Sequence, residues 1–216
     1  MLDTFKHKGL RKKMVEELRT LGISDEQVLQ AINNVPRHWF LDNAFLEYAY
    51  QNKAFPIGSG QTISHPYTVG FQTQLLEIKK GDKILEVGTG CGYQTSVLAQ
   101  MGAKIFSIER QHALFVKTKK FLSETNVSVK LFYGDGYQGV PTFAPYNKII
   151  VTAGAPYVPD ALLAQLMDGG RLVIPVGEGD KQIMTVIDKY KGGVLKKYEV
   201  GEFSFVPLLE DKNWNH

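Results

Sequence analysis

The chain has 216 residues, 44% apolar and 22% charged, which suits one globular domain with a sizeable core. Its formal net charge of +3 is dispersed, with short basic clusters only at Arg11-Lys12-Lys13 and Lys196-Lys197, and this argues against a nucleic-acid partner. A single cysteine excludes an internal disulfide, the five histidines show no metal-ligand spacing, and no apolar run has signal-peptide or membrane-spanning character, so a soluble cytoplasmic chain without metal is expected.

The first forty residues read as helical. Leu10, Met14, Leu18 and Leu21 recur at helical spacing until Gly22 stops the run. Ser24-Asp25-Glu26-Gln27 matches a capping box with Ser24 as the cap, and the helix it opens should bury Val28, Leu29, Ile32 and Val35 before Pro36. Residues 50–66 are rich in Gly, Pro and Ser without periodicity, which predicts a long irregular loop, a candidate lid. A helix over 67–76 then leads to a turn at Lys80-Gly81-Asp82.

From there apolar strands (84–87, 104–108, 129–133, 148–151, 171–175) alternate with helices (94–100, 112–123, 160–166). Segments 182–189 and 194–202 flank Tyr190-Lys191-Gly192-Gly193 as an antiparallel hairpin. The expected fold is α/β: a Rossmann-like, doubly wound, mostly parallel sheet with an antiparallel C-terminal hairpin and an N-terminal helical extension. One domain should divide into N-terminal helices and loop (1–66), a cofactor-binding core (67–180) and the hairpin and tail (181–216).

In such a sheet ligands lie beyond the carboxyl ends of the strands. The first strand carries Glu86 and runs into Gly88-Thr89-Gly90-Cys91-Gly92. A dinucleotide fingerprint needs its third glycine at the sixth place, where Tyr93 stands. A carboxylate before the loop also repels phosphates and suits a cationic amino group. The pattern Glu86-x-Gly88-x-Gly90-x-Gly92 resembles the cofactor loop of Rossmann-like S-adenosylmethionine-dependent methyltransferases, although the loop alone leaves a plain turn or a nucleotide ligand open. Glu109, at the second strand end, can take both ribose hydroxyls, or pair on the surface with Arg110 or Lys104. Asp135, between Gly134 and Gly136, can accept from an adenine amino group, or close an Asp-Gly turn. Three acids at successive strand ends, without a basic cluster, fit adenosine plus a cationic amino acid.

A closer resemblance covers nearly the whole chain. Val35-Pro36-Arg37 with Phe40, Gly60-Gln61-Thr62-Ile63-Ser64 with Pro66-Tyr67, Ser107-Ile108-Glu109-Arg110, Gly134-Asp135-Gly136-Tyr137-Gln138-Gly139, Ala144-Pro145-Tyr146, Val151-Thr152-Ala153 with Ala155-Pro156, the run from Gly169 to Gly177 and Phe205-Val206-Pro207-Leu208 are similar to the protein-L-isoaspartate O-methyltransferase family. The resemblance implies methyl transfer from S-adenosylmethionine to the free carboxylate of L-isoaspartyl residues in aged proteins and peptides, with S-adenosylhomocysteine as product. The ester then closes to a succinimide without an enzyme. It also implies cofactor contacts from Glu86, Gly88, Gly90, Gly92, Glu109, Arg110, Asp135 and Gly136, an active-site role for Ser64, and substrate contacts from Thr62, Ile63, His65, Ala153 and Val206.

That reaction accounts for the lack of a recognisable general base, because a carboxylate with a reference pKa of about 4 is already ionised at neutral pH. Ser64 is expected to orient this carboxylate, and from sequence it also suits a helix N-cap before Pro66. Phe205-Val206-Pro207-Leu208 suits either the peptide site or a sheet-edge strand. The chain departs from the family pattern at His65, Cys91 and Gly154, where glutamine, serine and alanine are common. Cys91 reads as a filler, or as a thiol whose modification blocks the cofactor. A monomer is favoured. A methyltransferase for a small molecule or RNA, an NAD-linked oxidoreductase and a non-catalytic binding module are the competing readings.

Overall fold

A computed structural model describes residues 2–212, and Met1 and 213–216 lie outside it. Helix α1 (Phe5–Thr20) begins at Thr4, whose Oγ1 accepts from the His7 backbone while His7 Nδ1 accepts from the Thr4 backbone. Its buried face is Arg11, Met14, Val15 and Leu18, whereas Leu10 and Leu21 are 36% and 46% exposed. The expected stripe is therefore turned toward Arg11. That residue is held in the interior by Asp3, Tyr50 and the Asn33 carbonyl, partners that apolar periodicity cannot register.

Helix α2 (Glu26–Asn34) buries Val28, Leu29 and Ile32 as expected, and Val35 caps it before Pro36. Its N-cap is Asp25 instead of Ser24: Asp25 Oδ1 accepts from the Gln27 and Val28 backbones. The Ser24 and Asp25 amides are themselves taken by Gln74 Oε1, a long-range contact that displaces the expected box.

Residues 50–66 are not an irregular loop. They form an antiparallel hairpin, β1 (Phe55–Gly58) with β2 (Gln61–Ile63), around a two-residue turn of Ser59 and Gly60, both at positive φ. Phe55, Ile57 and Ile63 are buried, which anchors the hairpin to the core beneath α1 and α2. Helix α3 (Pro66–Leu76) follows. Its N-terminal donor at Tyr67 is satisfied by Asn52 Oδ1 (3.0 Å), and Ser64 makes no side-chain cap.

The main sheet has strand order β5-β4-β3-β6-β7-β8-β9. Strands β3 (Lys83–Val87), β4 (Lys104–Glu109), β5 (Val129–Tyr133), β6 (Tyr146–Val151) and β7 (Leu166–Val176) are parallel, and β8 (Gln182–Lys189) and β9 (Leu195–Phe203) are antiparallel additions. Helices α4 (Tyr93–Gln100), α5 (His112–Glu124) and α6 (Asp160–Gln165) make the crossovers. The expected α6 ends one residue early and β7 begins there, because Leu166 already pairs with Tyr146.

Alternation along β3 divides the core. Ile84 joins the cluster under α1, α2 and α3, while Leu85 and Val87 join the cluster on the other face. The chain winds outward from β3 to β5 and returns to β6 on the opposite side of β3. The switch point of the sheet therefore lies at the carboxyl end of β3, between Val87 and Val151. Among the described residues no helix is long and apolar enough to cross a membrane.

Candidate active site

The turn after β3 needs its glycines for distinct reasons. Gly88, Gly90 and Gly92 have φ of +97°, +55° and +86°, conformations that L side chains rarely adopt. A Cβ on Gly88 would lie 2.5 Å from Thr152 Oγ1, and one on Gly136 would lie 2.6 Å from Val87 Cγ1. A Cβ on Gly92 would instead strike Leu122 at 2.9 Å, so this glycine lets α4 and α5 approach and does not reach the cleft wall.

Two adjoining lobes open above this turn. They share Thr62, Gly88, Gly90 and Thr152. The larger lobe is bounded by Glu109, Arg110, Ile108 and Gly136 on the sheet side and by Ala153, Val206 and Leu208 opposite. The smaller is bounded by Ile63, Ser64, Tyr93 and Gln94. Backbone bonds Gly154 N–H to Val206 O and Leu208 N–H to Gly154 O fasten the C-terminal segment over the larger lobe, so Val206 reaches the site from far along the chain.

Glu109 ends β4 in the larger lobe. Its Oε2 accepts from Gly90 N–H and its Oε1 from Gln111 N–H, both at 2.8 Å, which fixes the carboxylate relative to the glycine turn. Burial holds its pKa above the ordinary carboxylate value against those two amides. Arg110 lines the same lobe but turns its guanidinium to the Glu210 and Asp211 carbonyls, tying down the tail. Asp135 does not line the lobe. Its Oδ1 accepts from Tyr137 N–H in a local turn, and its neighbour Gly136 provides the wall. Thr62, Ile63, Ser64, Ala153 and Val206 meet at the cleft, while His65 sits outside the lining on the exposed side. Desolvation, helped by Arg37, holds the His65 imidazole below its ordinary pKa.

Glu86 is also absent from the cleft lining, for the reason given by strand alternation: it shares the face of Ile84 and points under α4. There Oε2 accepts from Thr95 Oγ1 (2.5 Å) and Ser107 Oγ (2.7 Å), and Thr89 Oγ1 lies 2.6 Å from Ser107 Oγ. This hydroxyl chain fastens the glycine turn to β4 and α4. Oε1 is buried without a partner among the described residues, and burial pushes the carboxyl up to about 7.

A raised acid pKa carries a definite sign. The unfolded carboxyl loses its proton near its model value of 4.5 and the folded one near 7, so stability is full below that window and falls as pH rises through it, by on the order of 3 kcal/mol. Glu86→Gln, which keeps an acceptor for both hydroxyls, should match wild type at pH 5 and melt higher at pH 8 when both are heated without ligand. Parallel pH profiles for the two proteins would contradict this assignment.

Cys91 lines the Ser64 lobe, and desolvation pushes its thiol up to about 11, which leaves little thiolate at neutral pH and favours the filler reading over a reactive one. Sequence reasoning gave no site role to Thr152, Tyr93 or Gln94. Thr152 was visible only as part of the quoted Val151-Thr152-Ala153 segment. The other two lie on the first turn of α4, and nothing in their spacing marks them.

The fold, the switch-point cleft and the paired glycine turn and Glu109 define a Rossmann-like methyltransferase. A scan of family models matches residues 9–213 to protein-L-isoaspartate(D-aspartate) O-methyltransferase. The chain belongs to this family. It is 59% identical to the protein-L-isoaspartate O-methyltransferase of Christiangramia forsetii, covering 99% of this chain and 100% of that one, and 58% identical to that of Flavobacterium johnsoniae with the same coverage. A solved protein-L-isoaspartate O-methyltransferase superposes with a TM-score of 0.83 at 28% identity, over 91% of this chain and 65% of that longer one. A Plasmodium falciparum chain assigned to the same activity, solved with S-adenosyl-L-homocysteine, gives 0.81 at 24% identity over 93% and 99% of the two chains, a likeness of fold.

The residues present fit S-adenosylmethionine, the cofactor on which this family depends. The cradle at Gly88 and Gly136 would be filled by any Cβ, Glu109 offers carboxylate lone pairs to a diol, and among the described residues no basic cluster suited to phosphate lines the lobes.

Proposed function

We propose that the chain transfers a methyl group from S-adenosylmethionine to the free carboxylate of L-isoaspartyl residues in damaged proteins and peptides, acting in the cytoplasm. The observation that carries the reading is the position of Ser64. It borders the lobe that meets the glycine turn at Gly88 and Gly90, and its hydroxyl makes no hydrogen bond among the described residues.

S-adenosylmethionine, when bound, supplies an electrophilic methyl group on a sulfonium centre. Glu109 would hold the ribose hydroxyls, with Ile108 and Leu208 as apolar walls and Gly136 allowing close approach. Ser64 Oγ would donate to one oxygen of the acceptor carboxylate and leave the other free to attack. Thr62, at the junction of the lobes, and Ile63 beside it would close the space between the reactants. No side chain needs to remove a proton, because the acceptor is ionised. Moving two opposite charges out of water favours their mutual neutralisation, and alignment alone can contribute roughly 7–11 kcal/mol of the barrier.

The test offers labelled S-adenosylmethionine with an isoaspartyl peptide and, in parallel, with its aspartyl twin, and measures base-labile methanol. Label on the isoaspartyl peptide alone is the expected result; equal label on both, or none on either, would sink the reading. Ser64→Ala should lower kcat/KM about 10- to 100-fold, the equivalent of a hydrogen bond to a charged group at ~1.5–3 kcal/mol, with cofactor affinity unchanged. A large loss of cofactor binding with normal turnover would contradict its role.

A further inference from the structure

Arg37 is fully buried, yet no carboxylate pairs with it among the described residues. Its Nη2 donates to the Lys53 carbonyl (3.1 Å) and the Ser64 carbonyl (2.7 Å), the two chain segments that enter and leave the β1–β2 hairpin. Nε and Nη1 are buried without a hydrogen-bond partner among the described residues. The guanidinium carbon lies 4.7 Å from the centre of the Tyr93 ring, and that ring is a wall of the Ser64 lobe. Tyr93 Oη and Gln94 Oε1 on the same wall are also buried without a well-formed hydrogen bond among the described residues; Tyr93 Oη lies close enough to Arg37 to interact with it, but a neutral phenol does not neutralise the charge. A buried cation without an anion is costly, and structures keep one where something else compensates it.

The missing anion belongs in the lobe on the other side of Tyr93. We propose that Arg37 is a positioning and specificity residue of the acceptor site: it sets Ser64 through its backbone carbonyl, and its unneutralised charge selects an anionic carboxylate over a neutral carboxamide. This inference rests on the function proposed above and goes beyond it by naming what rejects the neutral isostere.

Placement behind the wall, outside the cavity lining, has a chemical reason. Transfer neutralises the carboxylate, so a guanidinium in direct contact would stabilise the ground state more than the transition state and occupy the attacking lone pair. A charge set back behind Tyr93 and Ser64 attracts the acceptor and leaves its oxygen free. Its influence reaches the site's edge on both sides, lowering the pKa of His65 and opposing the rise at Cys91.

The experiment compares binding of an isoaspartyl peptide with its isoasparaginyl twin, in which the free carboxylate is a carboxamide, to the full chain saturated with S-adenosylhomocysteine. Wild type should prefer the anionic peptide by about tenfold or more, and Arg37→Gln should bring the two within about twofold. Arg37→Lys, which keeps the charge and loses the two-carbonyl clamp, should retain the preference while turnover falls. Equal weakening of both peptides in Arg37→Gln would reduce Arg37 to a structural strut and overturn the proposal.

Wild type provides a second arm that does not depend on a variant folding. A fully buried charge is poorly screened, so the preference should survive at about 0.5 M salt, and its collapse there would assign it to surface charges instead. If wild type does not methylate the isoaspartyl peptide in the labelled assay, the proposed function fails and this inference with it. If it methylates the isoaspartyl peptide and Arg37→Gln still discriminates, only this inference fails.

Discussion

Glu109→Ala should lower affinity for S-adenosylhomocysteine by about two to four orders of magnitude, read by titration calorimetry. The carboxylate ends β4 in the larger lobe and is already oriented by Gly90 N–H and Gln111 N–H. Two ribose hydroxyls donating to it would each contribute ~1.5–3 kcal/mol, the range for hydrogen bonds to a charged group. Removing it also strands two amides, one in the glycine turn and one at the start of α5, so the melting temperature should fall as well. Glu109→Gln should lie between, because an amide turned toward Gly90 N–H sets donor against donor. Affinity within threefold of wild type for Glu109→Ala would remove Glu109 from the cofactor site.

Gly88→Ala is expected to destabilise the protein by about 3 kcal/mol or more and to lose cofactor binding with it. At φ +97° the new methyl is strained on its own backbone, and it would sit 2.5 Å from Thr152 Oγ1. Thr152 cannot swing away cheaply. Its hydroxyl donates its single proton to the Gly88 carbonyl (2.7 Å), with the Val87 carbonyl an alternative acceptor at 3.0 Å, and its amide bonds to Val87 O. Both Gly88 and Thr152 belong to the junction of the two lobes, so relief of the clash must deform the site. Gly60→Ala is the control: φ is also positive, at +66°, but nothing lies within 4 Å of its Cβ, so only backbone strain of ~1–2 kcal/mol applies. Urea denaturation of the two variants separates the effects, and equal losses would show that Thr152 does yield.

Sequence legibility differed by the range of the interaction involved. The parallel strands and their helices were readable because each apolar run is buried where it stands, and their bounds moved by only a residue or two outside Tyr146 and Leu166. The hairpin over 55–63 was missed because Pro56, Gly58 and Gly60 look like loop composition, while its stability comes from Phe55, Ile57 and Ile63 packing on distant helices. Ser24 lost its capping role to Asp25, and its own amide is taken by Gln74, fifty residues away.

Within the site, the glycine turn, Glu109 and Ser64 could be named from motif and resemblance alone. Glu86 illustrates the limit of that reading: its spacing marked it as part of the loop, but period-two alternation turned it under α4, where it braces the turn. Arg37 stood in a quoted motif without a role, because its meaning lies in what surrounds it.

The sequence by itself determined the fold class, the cofactor chemistry and the order of the strand ends, since these depend on local periodicity, on glycines that tolerate positive φ and on the charge of residues beside them. The tertiary structure alone decided which strand-end acids face the cleft and which brace it. It also brought the Val206 segment across to Gly154 and left Arg37 buried beside Ser64 with no carboxylate paired to it among the described residues. Those outcomes depend on long-range packing and on the electrostatic balance of a buried neighbourhood, and neither is encoded in the spacing of residues along the chain.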